Sequence, residues 1–368
     1  MPFDHLDRAR LRFYPIRDRV NRVVIEEDHI KASDAARPMN ELTLNVLHET
    51  SERIRRARKL GRSVMLAFGA HTIKNGLAPV LTHLIEQGWV THLATNGAGI
   101  IHDWEFAYCG QSSEHVAENV REGKFGAWQE TGLYINLAIA VGAYRGLGYG
   151  ESVGAFVENE GALLPDEAEL KEAIATEVDG NLDKAAAAAD LLAQMRALDL
   201  KPGHLSVAHP FKQYGLQAAA YRLNVPFTGH PMFGHDIIYL HPMNHGAAIG
   251  RTAQRDFLSY AQSVTRLDGG VYMSIGSAVM SPMIFEKSLS MAQNLAIQQG
   301  KHIDDHCMVI ADLQPSHWDW RQGEPPEDNP DYYLRYNKSF SRMGGSMRYV
   351  CADNRDFLLT LVRLLQES

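Results

Sequence analysis

The chain has 368 residues, of which 45% are hydrophobic and 22% are charged, and its formal net charge is −8. This is the composition of an ordinary globular protein, with enough length for one large domain or two smaller ones. The acidic balance argues against nucleic acid as the main partner and is compatible with a small cationic substrate.

The first 39 residues are charged and contain Pro15 and Pro38, so we expect an irregular N-terminal arm at 1–39. Beyond the arm, apolar spacing predicts alternating helices and buried strands. In chain order they are a helix at 40–60, a strand at 63–68, a helix at 72–87, a strand at 90–94 and a helix at 125–147. The alanine-rich stretch 165–198 is predicted to form a surface helical hairpin.

The alternation resumes after the hairpin, with an aromatic and acidic loop at 315–337. Strands are predicted at 205–208, 236–240, 270–275, 308–311 and 347–352, and helices at 211–223, 247–267, 278–298 and 355–365. Apolar strands that alternate with helices indicate an α/β protein with a parallel sheet and helices on both faces. No linker interrupts 40–368, so we interpret this range as a single domain.

The three cysteines, Cys109, Cys307 and Cys351, have no paired spacing and are typical of buried thiols in a reducing compartment. The N-terminal residues lack the apolar core of a signal peptide, and no apolar run reaches transmembrane length. We therefore expect a cytoplasmic protein that has no membrane partner.

The most informative stretch is 91–105, where a buried strand leads through Asn96-Gly97-Ala98-Gly99 into a helix that contains His102 and Asp103. A strand, a glycine turn and a helix present backbone N–H groups to a phosphate or a carboxylate. This arrangement predicts a nucleotide or another anionic ligand. The spacing is not Gly-x-Gly-x-x-Gly, so the motif alone is weak.

Polar or glycine residues follow six of the predicted strands. They are Gly69, Asn96, His241, Gly276, Asp312 and Asp353. Ligands of an open parallel sheet bind beyond the carboxyl ends of its strands, so these six positions are expected to surround one site.

Four of the seventeen histidines fall within 230–245, and Asp236 lies among them. One hypothesis is a metal site of a hydrolase or lyase, although the spacings match no common zinc motif. The other is that His241 alone acts as a general base, because the predicted strand 236–240 would place it at the rim of the sheet.

Lys338 lies beside aromatic residues in Arg-Tyr-Asn-Lys-Ser-Phe and follows an acidic loop. A lysine in such surroundings is either an imine-forming nucleophile or simply exposed. The loop acids would bind a polyamine or form a solvated charge run. They are Asp319, Glu324, Glu327, Asp328 and Asp331.

The segments 69–77, 95–103, 225–241 and 349–353 together resemble deoxyhypusine synthase, in order and spacing more than in identity. The resemblance implies a Rossmann-like fold, a homotetramer and an NAD cofactor. It also implies oxidation of spermidine by hydride transfer, capture of the aminobutyl group as an imine on a lysine, and its transfer to a second lysine. Bacterial relatives of this family make homospermidine instead.

Carried over by position, the resemblance assigns NAD contacts to Asn96, Gly97, Ala98, Gly99, Gly276 and Asp353. It assigns the catalytic histidine to His241. It brings Lys338 near the imine-forming lysine, about two residues too far from the closing Ala-Asp pair.

The chain departs from the family pattern where the amine is recognised, because Ile101 and His102 replace an acidic pair. We therefore take His102, Asp103 and Asp236 as candidate substrate-binding residues for a polyamine or a related amine. The leading hypothesis is an NAD-dependent transferase. The alternatives are the histidine-cluster hydrolase or lyase and a ligand-binding protein that has kept the fold and lost the chemistry.

Overall fold

The structure is a computed structural model that describes residues 3–367, and within this range strands and helices alternate. The strands are β1 (Asn21–Val24), β2 (Val64–Phe68), β3 (His92–Asn96), β4 (Gln111–Glu114), β5 (Gly161–Leu164), β6 (Gly203–Ser206), β7 (Phe227–His230), β8 (Val271–Ile275), β9 (Cys307–Asp312) and β10 (Ser346–Cys351).

The helices connect and cover these strands. They are α1 (Ile25–Asp28), α2 (Glu41–Lys59), α3 (Ala70–Lys74), α4 (Ala78–Glu86), α5 (Gly97–Cys109), α6 (Val116–Arg121), α7 (Gln129–Arg145), α8 (Tyr149–Glu158), α9 (Glu167–Glu177), α10 (Leu182–Ala197), α11 (Leu216–Arg222), α12 (Gly246–Val264), α13 (Met280–Gln298), α14 (Arg335–Ser341) and α15 (Asn354–Gln366). None of the helices described is both long and apolar enough to cross a bilayer.

Six parallel strands form the central sheet in the order β10-β9-β8-β2-β3-β7. Counted along the chain within this sheet, the order is 6-5-4-1-2-3, which is the doubly wound order of dinucleotide-binding folds. The direction of winding reverses between β2 and β8. The predicted α/β class with a parallel sheet is confirmed.

Alternating side chains of the strands enter two different cores, one on each face of the sheet. Leu66 and Phe68 pack in the larger core, and Met65 and Ala67 pack in the smaller one. Helix α2 contacts β2, β8 and β9 on one side, whereas α13 and α14 contribute to the smaller core. Because both faces are covered by helices, β2 and β8 are buried along their whole length, as their continuous apolar sequences predict.

The third strand of the central sheet, counted along the chain, differs from its prediction. The predicted strand 236–240 is a 3₁₀ helix, Ile237–Leu240, and the strand that pairs with β3 is β7. Ile238 is fully buried, and its carbonyl accepts a hydrogen bond from Asn136 Nδ2 at 2.9 Å. A short apolar run is therefore buried here as a single helical turn, which periodicity does not distinguish from a strand.

Two other predictions need adjustment. The predicted strand 205–208 corresponds to β6, which pairs antiparallel with β5 outside the central sheet. The predicted helix 72–87 is divided into α3 and α4, because Gly76 adopts a left-handed φ of 76° between them. The hairpin predicted at 165–198 is present as α9 and α10, which pack on each other.

The N-terminal segment is less irregular than predicted, because it contains β1 and α1. Strand β1 pairs antiparallel with β4, and the Arg8 guanidinium donates to the carbonyls of Tyr239 and Asn244. The division into an arm at 1–39 and a domain at 40–368 remains a prediction. Residues 1, 2 and 368 lie outside the described residues.

Candidate functional site

Helix α5 begins directly at the carboxyl end of β3. Asn96 caps it, because its Oδ1 accepts the N–H of Gly99 at 2.9 Å. The N–H groups of Gly97 and Ala98 belong to the same first turn and have no acceptor within the helix. The helix therefore offers two donors and the positive end of its dipole at the edge of the sheet.

The carboxyl group of Asp236 lies against the first residue of α5. A Cβ added to Gly97 would lie 2.1 Å from Asp236 Oδ2, so only glycine fits at position 97. Asp236 is 8% exposed, and its Oδ2 has no hydrogen-bond partner among the described residues. Burial raises the pKa of Asp236 to about 6, although His235 opposes the shift. The start of α5 thus faces a buried acceptor that is unsatisfied.

A cavity of about 250 Å³ opens beside this turn. We call it the α5 pocket. It is lined by Arg19, Lys74, Ala98, His102, Glu114 and Asp236, among others. The pocket joins three of the sequence-predicted residues, Ala98, His102 and Asp236, to charged residues from α3, β4 and the N-terminal segment.

Arg19 and Glu105 form an ion pair in the wall of the α5 pocket. Two parallel hydrogen bonds of 2.7 Å join them, and their side chains are 1% and 2% exposed. Burial alone would raise the pKa of Glu105, but the charge and hydrogen bonds of Arg19 outweigh burial and lower it. Glu105 is therefore a carboxylate. It also accepts the hydroxyl of Thr131 at 3.0 Å.

His102 lies one helical turn before Glu105 on the same face of α5. Its Nδ1 is 2.7 Å from Ser112 Oγ, and Ser112 also hydrogen-bonds to Glu105 Oε2. Burial lowers the pKa of His102 to about 4, although Glu105 opposes the shift. The imidazole is therefore neutral at pH 7.

Gly276 and Asn354, the neighbour of Asp353 in the sequence, come together at a second place on the same edge, where the winding reverses. Gly69 and Gly276 approach so closely that a Cβ on Gly69 would lie 2.0 Å from the Gly276 carbonyl oxygen. Asn354 contacts Gly276 and donates through Nδ2 to Thr72 Oγ1 at 3.1 Å. The ends of β2, β8 and β10 are thereby linked.

The carboxylate of Asp353 already has two partners within the protein. Its carboxylate caps α15 by accepting the N–H of Arg355 at 2.9 Å, and it lies 3.2 Å from Arg37 Nη2. Its side chain remains 40% exposed, so a face of the carboxylate is open to a ligand.

Asp103 does not face the α5 pocket. It is buried, and it accepts the N–H groups of Leu216 and Gln217 at 2.8 and 2.9 Å, which caps α11. Burial raises the pKa of Asp103 to about 6, and these hydrogen bonds oppose the shift. Its contacts join two helices.

His241 does not stand at a strand end, because the strand predicted before it is the 3₁₀ helix. Its ring packs 4.8 Å from the ring of Phe13 and directly on Gly132. Nδ1 accepts the N–H of Met243 at 3.0 Å, and burial lowers the pKa of His241 to about 4. The imidazole holds a tight turn beside α7.

Lys338 lies on α14, which packs on α13, β10 and the β9–β10 connection. Its Nζ is 2.7 Å from Glu324 Oε1 and 3.3 Å from the centre of the Tyr332 ring. Burial lowers the pKa of Lys338, but its contacts with Glu324 and Tyr332 outweigh burial and raise it. Ala98 of the Asn96–Gly99 turn lines the α5 pocket, whereas neither His241 nor Lys338 is among the residues that line it.

The histidines of 230–245 also remain separate. His230 ends β7 and bonds to Thr228 Oγ1 at 2.9 Å, whereas His245 lies 3.9 Å from Asp190. Across residues 3–367, no group of three or more His, Cys, Asp or Glu side chains is arranged to hold a metal ion.

Sequence reasoning missed Arg19, Glu105 and Ser112 as parts of the site. For Glu105 a signal existed, since it lies three residues after His102 and so shares its helical face. For Arg19 no local signal existed, because its partner is 86 residues away in the sequence.

Neither a family model nor a curated protein matches the sequence. Among solved structures, the chain is similar to ArgZ, an arginine dihydrolase from the ornithine–ammonia cycle in cyanobacteria. The identity is 15%, the coverage is 88% of this chain and 33% of the other, and the TM-score is 0.42.

Two further solved structures are similar to the chain. The ternary complex of AgrE with ornithine and NAD+ has 15% identity and a TM-score of 0.44, with coverage of 90% of this chain and 34% of the other. A conserved putative LOR/SDH protein from Methanococcus maripaludis S2 has 14% identity and a TM-score of 0.42, with coverage of 91% of this chain and 72% of the other. The chain spans about one third of the length of the ArgZ and AgrE chains.

Proposed function

We propose that the chain is an NAD-dependent enzyme that acts on a small amine. The observation that carries the proposal is the doubly wound strand order with a charged pocket at one strand end. Sheets of this order bind dinucleotides beyond the carboxyl ends of their strands, near the reversal of winding. Here the reversal lies between β2 and β8, next to β3 and the α5 pocket.

The residues at this edge fit a dinucleotide. The N–H group of Ala98 suits a phosphate oxygen, because it has no acceptor within the helix, whereas the Asp236 carboxyl lies against Gly97. The open face of Asp353 suits a ribose hydroxyl, which donates to a carboxylate. Gly276, beside Asn354, would line the path between the two. When bound, NAD+ supplies a hydride acceptor.

The α5 pocket suits a small molecule that carries an ammonium group. Asp236 provides an acidic oxygen that has no partner within residues 3–367, whereas both carboxylate oxygens of Glu114 already accept hydrogen bonds, from Asn119 and Gly126. Both side chains are largely buried, so their attraction for a cation is only partly screened by solvent. Lys74 lines the same pocket and forms no ion pair among the described residues. It would repel a second cation and attract an acidic group of the ligand.

We do not extend the proposal to the aminobutyl transfer that the resemblance to deoxyhypusine synthase implies. An imine-forming lysine must lose its proton, and contact with Glu324 and Tyr332 keeps Lys338 charged. The homotetramer also rests on the resemblance alone, and sedimentation equilibrium would test it.

The cofactor half of the proposal is tested by calorimetry with NAD+. Asp353→Asn keeps an efficient helix cap but removes the charge, and we expect NAD+ affinity to fall roughly tenfold through loss of a charged hydrogen bond. The matched control is Asp166→Asn, the same change at the cap of α9 on the surface hairpin. Absence of NAD+ binding by the unaltered protein at millimolar concentration contradicts the proposal.

The amine half is tested by NADH formation in the presence of putrescine, spermidine or ornithine. Asp236→Asn is expected to raise KM for the active amine roughly tenfold or more, because a buried ionic partner is lost. An unchanged KM in this variant would exclude the α5 pocket as the amine site.

A further inference from the structure

Four side chains from three segments form a continuous hydrogen-bonded series in the wall of the α5 pocket. Arg19 comes from the N-terminal segment, Glu105 and His102 from α5, and Ser112 from β4. Arg19, Glu105 and Ser112 are all buried, so water does not compete for these bonds. The series ends at His102.

Proton counting fixes the direction of each bond. Glu105 is a carboxylate that only accepts, and Ser112 has a single hydroxyl hydrogen, which it donates to Glu105. The oxygen of Ser112 must then accept from His102, so the hydrogen of the neutral imidazole is on Nδ1. Nε2 consequently carries a free lone pair.

That lone pair has no partner within the part of the chain that the structure describes. His102 lines the α5 pocket, whose other polar groups include Lys74, Glu114, His235 and Asp236. The low pKa of His102, which burial lowers and to which Lys74, Arg19 and His71 also contribute, keeps the imidazole uncharged at neutral pH. The pocket therefore contains a fixed, neutral acceptor beside acidic groups.

We propose that His102 is the specificity-determining residue of the α5 pocket, where its Nε2 accepts a hydrogen bond from an N–H of the ligand's ammonium group. This inference rests on the proposed amine substrate. Glu114 and Asp236 attract any cation, whereas Nε2 binds only a cation that has a hydrogen to donate. The pocket accordingly takes amines whose ammonium group carries a hydrogen and rejects quaternary ones.

Calorimetry without NAD+ tests the inference with putrescine and its doubly trimethylated, quaternary analogue. We expect putrescine to bind at least tenfold more tightly, the difference that one charge-assisted hydrogen bond provides. His102→Asn keeps a polar group near Ser112 but lacks Nε2, so it should reduce the preference to within about threefold. His102→Gln places an amide oxygen near the Nε2 position and should restore part of it.

The tautomer is measured separately by ¹⁵N NMR of histidine-labelled protein. We expect His102 to carry its hydrogen on Nδ1, and Ser112→Ala to shift the population toward Nε2–H and to weaken putrescine binding. The matched control is His302→Asn, an exposed histidine that does not line the α5 pocket and should leave the preference unchanged.

Equal binding of the two amines by the unaltered protein, or a hydrogen on His102 Nε2, overturns the inference. Failure of putrescine, spermidine and ornithine to bind overturns both the inference and the amine half of the proposed function. Absence of NAD+ binding alongside selective amine binding contradicts only the cofactor half.

Discussion

Two histidines, the partly buried His102 and the fully buried His92, have nearly the same surroundings on one side of the ring. Each places Nδ1 against a serine, Ser112 at 2.7 Å and Ser263 at 2.8 Å. Burial lowers the pKa of both, to about 4 for His102 and about 3 for His92. They differ at Nε2, which in His92 meets Thr228 Oγ1 at 3.0 Å. In His102 it has no partner among the described residues, and this residue lines the α5 pocket.

The comparison shows that a lowered pKa does not by itself distinguish a binding residue from a structural one. His92 joins β3, β7 and α12 with both ring nitrogens used, so nothing is left to meet a ligand. His102 uses one nitrogen to fix its orientation and leaves the other open beside a cavity. The unused hydrogen-bonding position is the informative feature.

The largest effect on stability is expected at the Arg19–Glu105 ion pair, which is linked to His102 through Ser112. Glu105→Gln leaves the buried Arg19 guanidinium without a counter-charge, and the free energy of unfolding should fall by about 3–5 kcal/mol. Urea unfolding measures this loss. The control is Glu122→Gln, which breaks the exposed pair with Lys124 and should leave the urea midpoint of unfolding nearly unchanged, because solvent screens this pair. Equal losses in the two variants would contradict the buried pair.

His92→Leu is expected to cost about 1–3 kcal/mol, because the hydroxyl of Ser263 loses its partner in the interior. Putrescine affinity should not change, since His92 has no open nitrogen and does not line the α5 pocket. Paired urea unfolding and calorimetry measure both quantities. If amine binding weakened as much as in His102→Asn, the distinction between the histidines would fail.

The pH dependence of stability sharpens the comparison further. His92 binds a proton near its ordinary pKa of 6.5 when unfolded but only near 3 when folded, so it lowers stability as pH falls between these values. Its contribution is about 1.4 kcal/mol per pH unit where only the unfolded state is protonated. The stability curve of His92→Leu should therefore be shallower by this amount between pH 6 and 4. Buried carboxyls such as Asp256, whose pKa burial raises to about 8, act with the opposite sign in both proteins. Parallel curves would contradict the assignment.

The smallest effect is expected at Lys338. Lys338→Met removes a partly exposed pair with Glu324 and should leave the urea midpoint of unfolding nearly unchanged. Borohydride treatment with amine and NAD+ should leave no adduct on Lys338 of the unaltered protein, as mass spectrometry of peptides would show. An adduct there would support the transferase hypothesis and would identify Lys338 on α14 as the reacting residue.

The sequence predicts the fold well where strands are buried on both faces. Strands β2, β8 and β9 consist almost entirely of apolar residues because helices cover both faces, and such runs are recognisable. Strand β7 was not predicted, because its sequence looks polar although the strand is buried. Thr228 and His230 hydrogen-bond to each other inside the protein, so their polar groups are tolerated there. The run after it was apolar for a different reason, namely burial of one helical turn against α7.

The site could be predicted where it depends on neighbours in sequence. The turn from Asn96 to Gly99 and His102 belong to one strand–helix unit, and the structure brings Asp236 to them. The position predicted for His241 failed with the strand that preceded it. No local pattern brings Arg19 to α5, because this contact depends on how the N-terminal segment crosses the finished fold.

The Arg19–Glu105 pair also sets an order of events during synthesis. A chain emerges from the ribosome N-terminal end first, so Arg19 is exposed long before its partner, 86 residues later, has been made. A product that starts downstream of Arg19, through a later start codon or a proteolytic cut, retains all six strands of the central sheet but buries Glu105 without a counter-ion. Forms that lack Arg19 are therefore expected to keep the central sheet and to lose the buried ion pair in the wall of the α5 pocket.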